Sequence, residues 1–215
     1  MAAITQEVGQ WLEESGYRNF GFISYAHTGD TELTEFAGRL QAAIEKELKF
    51  EIDNPRVYID AKYIPPGAIW PDDLRRNLSA SVALIAVLTP IYLSVRHEWC
   101  GKEWAAMERL GMVRLPNTSI QPIIPVMFRR TTLPPGAANR QPLDLSRNAL
   151  LGPRYYTTKE FRAAVLQIVD QIREIACLRH QNRSAAGPNG FQFPLHSAFE
   201  GFEQPPQRPP LRSGG

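Results

Sequence analysis

In the run Trp99, Cys100, Gly101, Lys102, Glu103, an aromatic ring and a carboxylate stand four residues apart. Side chains at i and i+4 lie one above the other on a helix face, so a helix here sets the Trp99 ring and the Glu103 carboxylate against the same small ligand. The pairing suits a cationic, ring-bearing substrate, because an aromatic face attracts a cation and the carboxylate neutralises it. A plainer reading of the same helix also stands. Cys100, Trp104 and Met107 form an i, i+4, i+7 stripe of ordinary core packing, Glu103 lies at its edge, and a glutamate on an amphipathic helix is commonly a solvated charge. His27, His97, His180 and His196 have no paired spacing and no cysteine pair beside them, and Cys100 and Cys177 fall in separate predicted helices. Zinc, redox and disulfide frameworks are therefore not indicated, and no metal or resident cofactor is expected.

The elements that must position these residues alternate along the chain. Ile4, Val8, Trp11 and Leu12 predict an amphipathic helix over 3–15, ending near Gly16. Phe20, Gly21, Phe22, Ile23, Ser24 and Tyr25 read as a first strand buried on both faces. After the loop Ala26, His27, Thr28, Gly29, Asp30, the positions Leu33, Phe36, Leu40, Ala43 and Ile44 keep a helical period. That loop is either a phosphate site at a helix N-terminus or a capped turn, in which Asp30 alone serves the helix. Residues 56–60 read as a second strand, followed by a loop that Pro65, Pro66 and Gly67 keep irregular, with a helix starting at Trp70 and Pro71. Residues 82–88 form the most hydrophobic strand and lead into the Trp99 helix. A fourth strand spans 120–128, where Pro122 and Pro125 place it near an edge or make it irregular. Residues 131–153 read as irregular structure crossing the sheet edge, and Phe161, Val165, Ile168, Val169, Ile172 and Ala176 as a closing helix. Strands alternating with helices imply a parallel sheet covered on both faces.

Composition narrows the function classes. The 215 residues, 43% hydrophobic, can bury one substantial core. Residues 1–18 are expected as a helical extension, 19–179 as the domain, and 180–215 as a Pro- and Gly-rich tail. This tail is a linker or a segment that docks by the isolated anchors Phe191, Phe193, Phe199 and Phe202. Lys+Arg 24 against Asp+Glu 22 gives no concentrated positive field, which argues against nucleic acid as a partner. The longest apolar run, 82–88, falls far short of the roughly 20 residues a membrane span needs. No secretory leader is evident, so a cytoplasmic location and no membrane are expected.

Four features stand in order: Phe22, Ile23, Ser24, Tyr25 as a first-strand box; Val57, Tyr58, Ile59, Asp60 leading to the Pro66 and Gly67 loop; 81–89 with Pro90; and Trp99, Cys100 with Glu103. Together they resemble a bacterial-type Toll/interleukin-1 receptor (TIR) domain, closely over roughly residues 20–130 and loosely to 177. The resemblance implies an α/β fold, a flavodoxin-like doubly wound parallel sheet flanked by helices, with ligands at the carboxyl ends of the strands. It also implies that Glu103 is the glutamate required to cleave the nicotinamide–ribose bond of NAD and that Trp99 lines the same pocket. Tyr25, His27 and Asp60 are further substrate-binding candidates. Pro65, Pro66, Gly67 and Trp70 match a loop through which relatives contact a neighbouring TIR domain, although Trp70 equally suits a core anchor. The implied activity is that of an NAD glycohydrolase or cyclase, an NAD nucleosidase that depletes NAD or makes cyclic ADP-ribose in bacterial antiviral defence. NAD is the substrate, self-association the switch, and a regulatory domain beyond Gly215 a further partner if the tail is a linker. Two other readings stay open: a non-catalytic TIR interaction module, and a nucleotide sensor without turnover.

Overall fold

A computed structural model describes residues 4–60, 72–147, 149–185, 187–188 and 193–202. The loop residues Pro65, Pro66, Gly67 and Trp70 lie outside the described residues. The chain alternates as α1 (Gln6–Glu14), β1 (Asn19–Ser24), α2 (Thr31–Leu48), β2 (Val57–Ile59), α3 (Asp72–Ser79), β3 (Ser81–Leu88), α4 (Glu98–Arg114), β4 (Ile123–Met127), α5 (Pro135–Ala138), β5 (Leu143–Asp144) and α6 (Lys159–Gln181). All five strands are parallel, in the order β2-β1-β3-β4-β5. The order reverses beside β1, which places a crevice at the carboxyl ends of β1 and β3.

Alternation along the central strands divides the core in two. Ile23, Ile85, Val87, Ile124 and Val126 face α1, α2 and α6, whereas Phe22, Leu84, Ala86, Leu88 and Ile123 face α3 and α4. All eight residues of β3 are buried, as expected of a parallel strand covered on both sides. Gly21 makes room between β1 and β3, where a Cβ would stand 2.9 Å from the terminal methyl of Ile85 and oblige that side chain to shift. The helix after β1 opens with Asp30, whose side chain accepts from the amides of Glu32 (2.9 Å) and Leu33 (3.3 Å). The preceding Gly29 takes a positive φ of 77°, which suits a residue without Cβ.

One region differs from the sequence expectation. Residues 131–153 are not wholly irregular: they supply α5 and the edge strand β5, two elements too short to carry any periodicity. The proline-bearing fourth strand is next to the edge, with β5 outside it, and β5 begins opposite Val126, one residue past Pro125. The chain flanks are packed elements. Val8 and Leu12 of α1 are buried in the core that α6 shares, Trp11 meets His180 edge-on at 5.4 Å, and Arg179 donates to Tyr17 Oη at 2.7 Å. Residues 193–202 lie on the opposite face, where Phe199 is 3% exposed against α4. Among the described residues no helix is long and apolar enough to cross a membrane.

Candidate active site

Helix α4 carries Glu103 in its second turn, and the turn of Cys100, Glu103, Trp104 and Met107 faces inward. Glu103 is therefore 6% exposed, well inside the stripe at whose edge the sequence reading placed it. Its Oε2 accepts from Ser24 Oγ, the last residue of β1, which is paired with Ala86 of β3. Ser24 Oγ in turn lies 2.9 Å from Tyr92 Oη. Tyr92 is fully buried just after β3, and its backbone amide is held by Thr89 Oγ1 at 3.1 Å. When Glu103 is ionised it can only accept, so in that form the single Ser24 proton goes to Glu103 and the Tyr92 proton goes to Ser24.

Burial pushes the Glu103 carboxyl up to about 8, with the Asp60 charge adding to it and the Ser24 hydrogen bond opposing it. Near neutral pH the unliganded carboxyl is thus mostly protonated, with about one molecule in ten ionised at one unit below the midpoint. Burial raises the Tyr92 phenol and the Cys100 thiol as well, both with a contribution from Glu103. A positive charge entering this apolar, acid-lined corner would pull the Glu103 proton off, because an opposite charge favours the ionised form.

Tyr25 and His27 stand on the other side of the strand ends, their rings 4.4 Å apart. They line a cleft of about 840 Å³ with Thr34, Ile91, Arg96 and His97. Burial lowers His27, against the charge and backbone hydrogen bond of Asp60, and burial together with His27 lowers His97. Arg96 is the fixed cation of that cleft. Asp60 links the two halves, since its charge acts on Tyr25, His27, Tyr58 and Glu103. The structure therefore gathers Tyr25, His27, Asp60 and Glu103 around the carboxyl ends of β1, β2 and β3. Trp99 sits one turn before Glu103, and its ring already carries a cation: Lys102 Nζ lies 4.6 Å from the centroid and is tied to Glu98 at 3.2 Å.

The loop 26–30 follows the capped-turn reading, because Asp30 occupies the amides a phosphate would use. Sequence reasoning missed Tyr92, Arg96 and His97 as site residues, and quoted Ser24 only as part of a strand. A hydroxyl at the end of an otherwise apolar central strand was the available signal for Ser24; Tyr92 had none beyond its place after Thr89 and Pro90.

The doubly wound parallel sheet, with a buried acid at its strand ends beside the switch in strand order, defines an α/β protein of the kind in which ligands gather outside the strand ends at that switch. The family model described as TIR domain matches residues 22–165, from β1 into α6, and the chain belongs to that family. No curated protein matches the chain. Helix α1 and the segment 193–202 both lie outside the match.

Proposed function

We propose that this TIR domain cleaves the nicotinamide–ribose bond of NAD, with Glu103 as the catalytic carboxylate. The observation that carries the reading is the Glu103 carboxyl buried at the strand ends, with two hydroxyls aligned to donate toward its ionised form. Glycosidases commonly need a second carboxyl to protonate an alkoxide. Nicotinamide needs none: the C1′–N bond breaks, its electron pair returns to the pyridinium nitrogen, and a neutral molecule departs. The ribose is left as an oxocarbenium ion, which ionised Glu103 stabilises across a site from which water is largely excluded. Water or an adenine nitrogen then bonds to C1′. In hydrolysis the attacking water loses a proton, and a carboxyl that ionises near 8 is well matched to accept it at neutral pH.

The pyridinium would take the place of Lys102 over the Trp99 ring, exchanging one cation–π contact for another. Tyr25, His27, Asp60 and Arg96 bound the rest of the substrate site. The bacterial type, a role in antiviral NAD depletion or cyclic ADP-ribose signalling, self-association through the loop of Pro65, Pro66, Gly67 and Trp70, and a cytoplasmic location all extend this reading. Concentration dependence would follow from it, since clustering raises the effective concentration of each copy. A second reading has its own support: the low exposure of Glu103 also suits a structural core acid in a non-catalytic interaction module.

Nicotinamide release from NAD by the full chain, followed per molecule over a range of protein concentrations beside Glu103→Gln, separates the two. Release that climbs with concentration and vanishes in a folded variant supports cleavage by an assembled enzyme. No release at any concentration, or equal release from the variant, would favour the interaction module or a different catalytic group.

A further inference from the structure

The segment 193–202 makes a specific seat on α4. Ala198 N donates to Gly101 O at 3.0 Å, and Ser197 Oγ accepts from Phe199 N at 3.1 Å. A Cβ on Gly101 would stand 1.7 Å from Ser197 Oγ and 3.2 Å from Phe199 Cδ2, so the segment rests in a notch that only glycine leaves open. From that notch Phe199 reaches Trp104 (centroids 5.4 Å) and Tyr92 (6.1 Å). Tyr92 is therefore held between the sheet and a ring contributed from outside the matched domain, while its hydroxyl makes the Ser24 contact that faces Glu103.

We propose that Tyr92 is a positioning residue for the Glu103 carboxyl, and that Phe199 of the C-terminal segment is what keeps it and its surroundings dry. The proposal rests on the reading of Glu103 as the catalytic acid. When Glu103 ionises, Ser24 must give it its one proton, which leaves the Ser24 oxygen accepting from Tyr92. The two hydroxyls thus form a one-way chain toward the charge. The other titratable groups facing Glu103 are Cys100 on its own helix, Tyr58 on β2 and Asp60 just beyond β2. Among the described residues these three supply no positive charge. Support for the ionised form comes from the Ser24 hydroxyl, itself backed by Tyr92, against burial.

Two substitutions push Glu103 in opposite directions. Tyr92→Phe keeps the buried ring and deletes the second donor, which should raise the Glu103 midpoint by about 0.5 unit, because the Ser24 hydroxyl that donates to the charged form loses the donor that polarises it. Phe199→Ala lifts the outer wall, admits water and should lower the midpoint toward the ordinary carboxyl range, since burial is the largest cause of its elevation. The carboxyl carbon of Glu103, assigned by its loss in Glu103→Gln, is followed by NMR through a pH titration in the full chain. Thermal melts run alongside, and so does the pH profile of nicotinamide release. The kcat profile should shift with the Glu103 midpoint in each variant, with KM for NAD little changed. A purely structural role for Tyr92 or Phe199 would lower the melting temperature and leave the midpoint in place.

A Glu103 midpoint unmoved in folded Tyr92→Phe overturns the positioning role, and one unmoved or raised in Phe199→Ala overturns the role of the segment. Should either variant fail to fold, Phe199→Leu, which thins the same wall and should lower the midpoint by less, and Ser24→Ala, which removes the hydroxyl through which Tyr92 acts and should raise it, take their place, and an unmoved midpoint in either overturns its half of the proposal. If the parent releases no nicotinamide while Tyr92→Phe still moves the midpoint, the cleavage reading fails and the coupling stands. If the parent cleaves NAD and the midpoint does not move, the reverse holds.

Discussion

Residue by residue, the site is governed by one acid that folding keeps mostly neutral. Glu103 ionises at about 8 in the folded chain, against an ordinary value of 4.5. Between those values the folded chain holds a proton that the unfolded chain has released, so stability falls as pH climbs through this window. Glu103→Gln has no charge to bury and lacks that slope. Urea unfolding at about pH 5.5 and about pH 8.5 should show the parent losing on the order of a few kcal/mol more than the variant. Parallel profiles would mean that Glu103 is better solvated than its surroundings suggest. The sequence made Glu103 and Trp99 visible through their i, i+4 spacing. It gave no view of the Ser24 hydroxyl, which reaches Glu103 across 79 positions of chain, or of the Tyr92 hydroxyl, which reaches Ser24 across 68, because both contacts exist only once β1, β3 and α4 are assembled.

Among the elements, those with several turns or a fully apolar strand were legible in the sequence, because periodicity accumulates with length. Helices α2, α4 and α6 and strands β1 and β3 lie where their apolar spacing puts them. The edge strand β5 and the short α5 were hidden, since their position is set by what β4 leaves unpaired. The loop before α2 was open between two readings in the sequence and is closed by geometry: the Asp30 carboxylate is itself the anion at that helix N-terminus. Asp30→Ala should accordingly cost about 1 kcal/mol of stability, the usual worth of such a cap. It should not weaken NAD binding. Denaturant midpoints and KM for NAD measured together test this, and a large rise in KM with unchanged stability would restore the loop to the binding site.

As a whole molecule, the protein is a sheet sealed on both faces by flanks that its family match does not include. Helix α1 closes the side of α2 and α6, and residues 193–202 close the side of α4. Under the proposed chemistry, what the sealed interior does to Glu103 also decides which form of a nicotinamide carrier is cleaved. A neutral Glu103 brings no charge of its own to the resting site, and a ligand that carries a positive charge switches the acid on. The oxidised carrier has that charge on its pyridinium ring, and the reduced carrier, with a neutral dihydropyridine, does not. Under the proposed chemistry the protein should therefore cleave NAD and leave NADH intact, and a surplus of NADH should slow it little. Nicotinamide release measured at fixed NAD with rising NADH reads this directly, and strong competition by NADH would show that affinity comes from the adenylate half. With weak competition, the rate would follow the oxidised pool itself, so the same protein number would consume the carrier quickly in an oxidised cell and slowly in a reduced one.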